Sequence, residues 1–145
     1  MRTGRRRLAR ERALGILYEA ELKGTTAAVV LADLPAAPDE IVVHLVMEVV
    51  RRARRVDELI ERHSNGWALD RMPYVDRNLL RLAVAEMLDD VLEAPAAVII
   101  SEAVELAKAY STEQSSRFIN GLLAGVLDEI GSAGAREKDE DDEGS

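Results

Sequence analysis

The chain has 145 residues, 48% of them hydrophobic, so one packed domain is the expectation. Its lack of cysteine excludes a disulfide framework and a thiolate metal site and suits a cytoplasmic home. The net charge of −8 is unevenly spread: residues 1–12 hold six arginines against one glutamate, a concentrated basic arm that points to a local anionic target.

Aromatics are only 3% of the chain, so the core must be built from Leu, Val, Ile and Ala. No apolar run approaches the roughly 18 residues of a membrane span. The run Ala13 to Tyr18, behind the basic start, is too short for a secretory signal and stops at Glu19.

The first helix is expected over about residues 4–22, with Gly24 as its C-cap. Ala9, Ala13, Ile16, Leu17 and Ala20 form its apolar stripe. Arg5, Arg6, Arg7 and Arg10 crowd its first turns, where the helix end is already positive. Each cation there costs on the order of 0.3–1 kcal/mol, and an arriving anion would offset that cost. A solvated, frayed terminus is the alternative.

Thr25-Thr26 can cap a short helix over residues 27–34, ended by Pro35 and Pro38. A long helix is expected over residues 39–63, on the repeat Ile41, Leu45, Val49, Val56, Leu59, Ile60. It carries Arg51, Arg52, Arg54 and Arg55, with Glu48, Asp57, Glu58 and Glu61 three or four residues from them. Intrahelical pairing on a solvated face is the favoured reading of this run.

Ser64-Asn65-Gly66 breaks the helix, and Trp67, Leu69 and Met72 make an apolar knot in which Trp67 reads as a core plug. A further helix is expected over residues 74–90, with Asp76 in its first turn, where an acid is favoured. The stretch AAVIISEAVELAKAYSTEQSSRFING, residues 96–121, reads as an amphipathic helix, a polar hinge at Ser111 to Ser115, and a second helix that ends near Ile130-Gly131. Residues 132–145 read as a disordered acidic tail. No segment alternates polar and apolar residues, so the fold class is all-α, with six or seven helices in two small bundles.

Chemistry is not signposted. His44 and His63 lie far apart, and there is no nucleophile elbow, P-loop or dinucleotide fingerprint. No catalytic residue, metal site or cofactor is expected. Binding remains. Arginine supplies forked donors for phosphate and stacks on exposed bases. Arg117 and Phe118 add a cation and an aromatic plate, if the start of the last helix lies beside the first helix. That combination suits single-stranded RNA. Core packing is the other reading of Phe118. A helical protein-binding adaptor is the rival function, its arginines meeting a partner's acidic face.

Three segments, RRRLARERALGILYEAEL, YVDRNLLRLAVAEML and APAAVIISEAVELAKAYSTEQSSRFINGLLAGVL, resemble the bacterial transcription antitermination family NusB in order and spacing. The resemblance implies two helical bundles packed roughly at right angles. It implies binding to boxA RNA of ribosomal leaders together with NusE, a small-subunit ribosomal protein, within the RNA polymerase antitermination complex. Carried over by position, it assigns RNA contacts to Arg5, Arg6, Arg7, Arg10, Gln114, Ser116, Arg117 and Phe118, and NusE contacts to Tyr18 and Asp76. Gln114 stands where relatives can carry an acid, and the run Arg51 to Arg55 is not a family feature. Homodimers occur among some relatives and would cover the RNA surface. The same fold forms the RNA-binding front part of certain ribosomal RNA methyltransferases, a reading that needs a catalytic partner chain here.

Overall fold

The computed structural model describes the backbone of residues 2–143 and the side chains of residues 4–132. The described residues form seven α-helices and one 3₁₀ turn, with no strand.

Helix α1, Arg2–Lys23, buries the expected stripe together with Leu14. It ends at Gly24, whose φ of +65° is the left-handed conformation that glycine adopts without strain. The Thr25 N–H then donates back to the Ala20 carbonyl at 2.9 Å and closes the end. Helix α2, Ala27–Ala32, is capped by Thr26, whose hydroxyl accepts from the Val29 N–H.

The long helix expected over residues 39–63 is two helices, α3 at Glu40–Arg51 and α4 at Ala53–His63. The break is at Arg52, with φ −102° and ψ 14°. Buried Val42, Leu45, Val46 and Val49 make the stripe of α3, and Val56, Leu59 and Ile60 that of α4. Between them the stripe holds Arg52 and Ala53 instead of a large apolar group, so no core contact holds the turn in line. The change of direction lets α3 pack on α1 while α4 packs on α7.

Helix α5, Tyr74–Leu88, is the centre of the molecule and touches α1, α3, α4, α6 and α7. Leu79, Leu80, Leu82, Ala83, Val84 and Ala85 are all buried, so it is apolar around most of its girth rather than along one stripe. Helices α1, α2 and α3 pack on one another on one side of α5, while α6, Ala96–Tyr110, and α7, Glu113–Glu143, pack together with α4 on the other. Helix α7 is longer than the expected end near Gly131. The acidic tail expected at residues 132–145 has its side chains outside the described residues from position 133 onward.

Candidate nucleic-acid interface

Arg5, Arg6, Arg7 and Arg10 of α1 each meet a partner from a different part of the chain. Arg5 donates to both carboxylate oxygens of Asp39, at 2.7 and 2.8 Å. Arg6 donates to the Leu92 carbonyl at 3.3 Å. Arg7 grips Glu102 of α6 with its Nε and Nη2, both at 3.0 Å. Arg10 grips Glu86 in the last turn of α5, at 2.8 and 2.5 Å. The anions that the crowded cations require are therefore partly internal. Asp39 also caps α3 by accepting from the Ile41 N–H. The Arg5 hydrogen bond, with that cap, holds the Asp39 carboxyl down to about 2.

These pairs differ in how much they leave open. Arg10 and Glu86 are 5% and 2% exposed, so Arg10 faces inward and has no free donor surface for a nucleic acid. Arg7 is 58% exposed although its partner Glu102 is only 8% exposed, and Arg5 is open to a similar degree. An incoming phosphate can therefore share the open donors of Arg7 while Glu102 keeps its partner, and can share or displace the exposed Arg5–Asp39 pair.

At the start of α7, Thr112 caps the helix by accepting from the Ser115 N–H at 2.9 Å. The Ser115 hydroxyl donates to Asp76 Oδ2 at 2.7 Å. Gln114 and Arg117 are exposed, and Arg117 is 76% open with a long 3.4 Å contact to Glu113. Ser116 is buried and donates to the Glu113 carbonyl at 2.6 Å. Phe118 is half-buried and meets Trp67 edge-on, with ring centroids 4.9 Å apart. Its ring helps close the core and leaves only part of its surface for a base.

The two regions do not lie side by side. Arg10 is tied to Glu86 at the end of α5, and Ser115 to Asp76 at its beginning. Ten helical residues, about 15 Å of axis, separate those anchors. Tyr110, the last residue of α6, bridges the interval: it is half-exposed, and its hydroxyl donates to Glu11 of α1. Nothing in the sequence marks it as a surface aromatic, because it follows Leu106 and Ala107 at the spacing of the buried stripe.

Tyr18 lies on an open groove of about 740 Å³ with Leu8, Leu14, Leu34, Val75 and Tyr110. Its ring meets Tyr74 edge-on, and the Arg77 guanidinium sits over Tyr74 at 4.5 Å. Asp76, the other residue assigned to a partner contact, has 0% exposure and presents no surface to a docking protein.

Of the arginine run of the third expected helix, Arg51, Arg52 and Arg54 meet acids three or four residues away. Arg51 and Arg52 both donate to Glu48, and Arg54 lies 3.6 Å from Glu58. His44, Glu48 and Asp89 bring ligand atoms within 4.8 Å of one another. Those oxygens are already engaged, however: Glu48 by the two arginines, Asp89 by His44 and the Val91 N–H. Burial pushes the Asp89 carboxyl up, but the Val91 and Leu92 N–H groups together with His44 outweigh it and leave the group below the usual carboxylate range.

The family model described as the NusB family matches residues 7–128. The transcription antitermination protein NusB of Saccharopolyspora erythraea is 46% identical over 137 residues, covering 89% of this chain and 93% of its own. A crystal form of NusB from T. maritima superposes with a TM-score of 0.76 at 31% identity, over 86% of this chain and 91% of that one. A crystal structure of the antitermination factors NusB and NusE in complex with double-stranded RNA has a chain that superposes with a TM-score of 0.71 at 30% identity, over 89% of this chain and 98% of that one.

Proposed function

Because the chain belongs to the NusB family, we propose that it is a cytoplasmic transcription antitermination factor that binds boxA-type single-stranded leader RNA together with NusE. It thereby supports ribosomal RNA transcription by the RNA polymerase antitermination complex. Catalysis has no part in this role.

The observation that carries the RNA reading is the openness of Arg5 and Arg7 at one end of a path and of Gln114 and Arg117 at the other, with Tyr110 between them. A strand stacked at about 3.4 Å per nucleotide crosses the 15 Å interval in roughly four nucleotides. Arg5, Arg6 and Arg7 hold phosphates at its start, Tyr110 offers a base a stacking surface, and Arg117 and Gln114 hold its far end. Arg10 and Ser116 act from behind this surface, as supports. The exposed ring of Tyr18 belongs to the NusE face.

A gel-shift with boxA-type RNA, with and without NusE, tests the reading. Retardation that NusE strengthens is expected, and an Arg5/Arg7/Arg117→Ala variant should lose it. Equal retardation of that variant overturns the reading. The apolar groove at Tyr18 favours a second reading, a protein-binding adaptor without RNA contact, which predicts no retardation in the absence of a partner.

A further inference from the structure

We propose that Asp76 is a positioning residue for RNA binding: through Ser115 it holds the first turn of α7 in the pose that aims Arg117 and Gln114 outward. The proposal rests on the RNA reading above and deepens it.

The first turn of α7 has few anchors. Thr112 caps it from within, and Ser116 donates to a carbonyl of the same turn. Glu113, Gln114 and Arg117 all face solvent. Among the described side-chain hydrogen bonds of residues 111–117, the one from Ser115 to Asp76 alone reaches another helix. The Ser115 hydroxyl also accepts from the Thr112 hydroxyl at 3.0 Å, so the tie to Asp76 and the cap are one continuous chain of hydrogen bonds.

Asp76 is an unusual residue to find at that point. It is fully buried, and its Oδ1 has no hydrogen-bond partner in the protein. A buried, incompletely satisfied carboxylate is costly, so it persists where something offsets it. Its place in the first turn of α5 supplies a favourable helix dipole, and the Ser115 hydroxyl supplies a charge-assisted hydrogen bond. With its other oxygen unpartnered, the carboxylate has no competing protein donor to draw it away from Ser115. The next residue, Arg77, instead turns to Glu21 and the Tyr74 ring, so the two neighbours divide the work of tying α5 to α7 and to α1.

The variants Ser115→Ala, Ser115→Thr, Asp76→Ala and Arg117→Ala separate the possibilities, read by fluorescence anisotropy on boxA-type RNA across a salt series and by thermal melting. Ser115→Ala should bind about fivefold to tenfold more weakly, the scale of one charge-assisted contact. It should also lose about 0.7 from the slope of log affinity against log salt, one phosphate contact on a single strand. Arg117→Ala should do the same, and the Ser115→Ala/Arg117→Ala pair should be no worse than Arg117→Ala alone. Ser115→Thr, which keeps the hydroxyl, should restore both affinity and slope. Asp76→Ala should match Ser115→Ala where it folds, but Ser115→Ala carries the test by itself. A merely structural role would lower the melting temperature and leave the slope unchanged, which overturns the proposal. So does unchanged affinity of Ser115→Ala while Arg117→Ala is weakened, and in that case the RNA reading stands. If Arg117→Ala binds like the parent protein, the RNA contact at α7 and the positioning role fall together.

Discussion

Replacing Arg10 with alanine leaves the Glu86 carboxylate, 2% exposed, without the guanidinium that holds both of its oxygens. The hydrogen bond to Glu86 raises the Arg10 pKa, burial opposes it, and the bond prevails, so the guanidinium stays charged. Stranding one member of a buried ion pair costs about 3–5 kcal/mol, a large share of the roughly 5–15 kcal/mol that holds a domain together. Urea unfolding followed by circular dichroism should show the midpoint falling by about 2 M at unchanged slope, for a slope of about 2 kcal/mol per molar. The double replacement Arg10→Met/Glu86→Leu should recover most of the loss, because it removes both charges at once. RNA affinity of Arg10→Ala, measured where the protein is folded, should stay within about twofold of the parent, since a buried guanidinium holds no phosphate. A stability loss below about 1 kcal/mol would refute the idea that internal carboxylates balance the arginines of α1.

Two further changes probe the scaffold. Asp39 has a folded pKa near 2, below its ordinary value, so the stability it contributes is present above about pH 4 and is lost as pH falls toward 2. Asp39→Asn should lower stability at neutral pH and flatten that acid limb, and an unchanged acid limb would contradict the assignment. A Cβ added at Gly125 would sit 2.7 Å from His63 Nδ1, so the ring must shift and strain its 2.9 Å contact with Glu129. Gly125→Ala should therefore lower the melting temperature in the parent. In a His63→Ala background it should instead add up to about 1 kcal/mol through helix propensity, and the same sign in both backgrounds would refute the steric account.

The helices were legible because their apolar residues recur at 3.6-residue spacing and because Gly24, Pro35, Pro38 and Gly66 punctuate them. The split of α3 from α4 was not, since Val56, Leu59 and Ile60 continue the repeat past Arg52, and arginine is a good helix former. The basic arm could be seen in the sequence, but its partners could not: Arg5, Arg10 and Arg7 meet acids 34, 76 and 95 residues away. Local spacing carries no record of such pairings. The same gap hid the burial of Asp76 and Ser116, whose residue types and first-turn positions read equally well as surface. Phe118 serves both as core packing and as surface, half in the core against Trp67 and half out.

The most direct test of RNA binding by both ends of this surface is the salt dependence of affinity for a boxA-type single strand. If Arg5, Arg6, Arg7 and Arg117 each neutralise a phosphate, log affinity should fall against log salt with a slope of about −3, and an Arg5→Ala/Arg117→Ala variant should lose about 1.4 of it. A slope near zero, or one that the double variant leaves unchanged, would contradict the account.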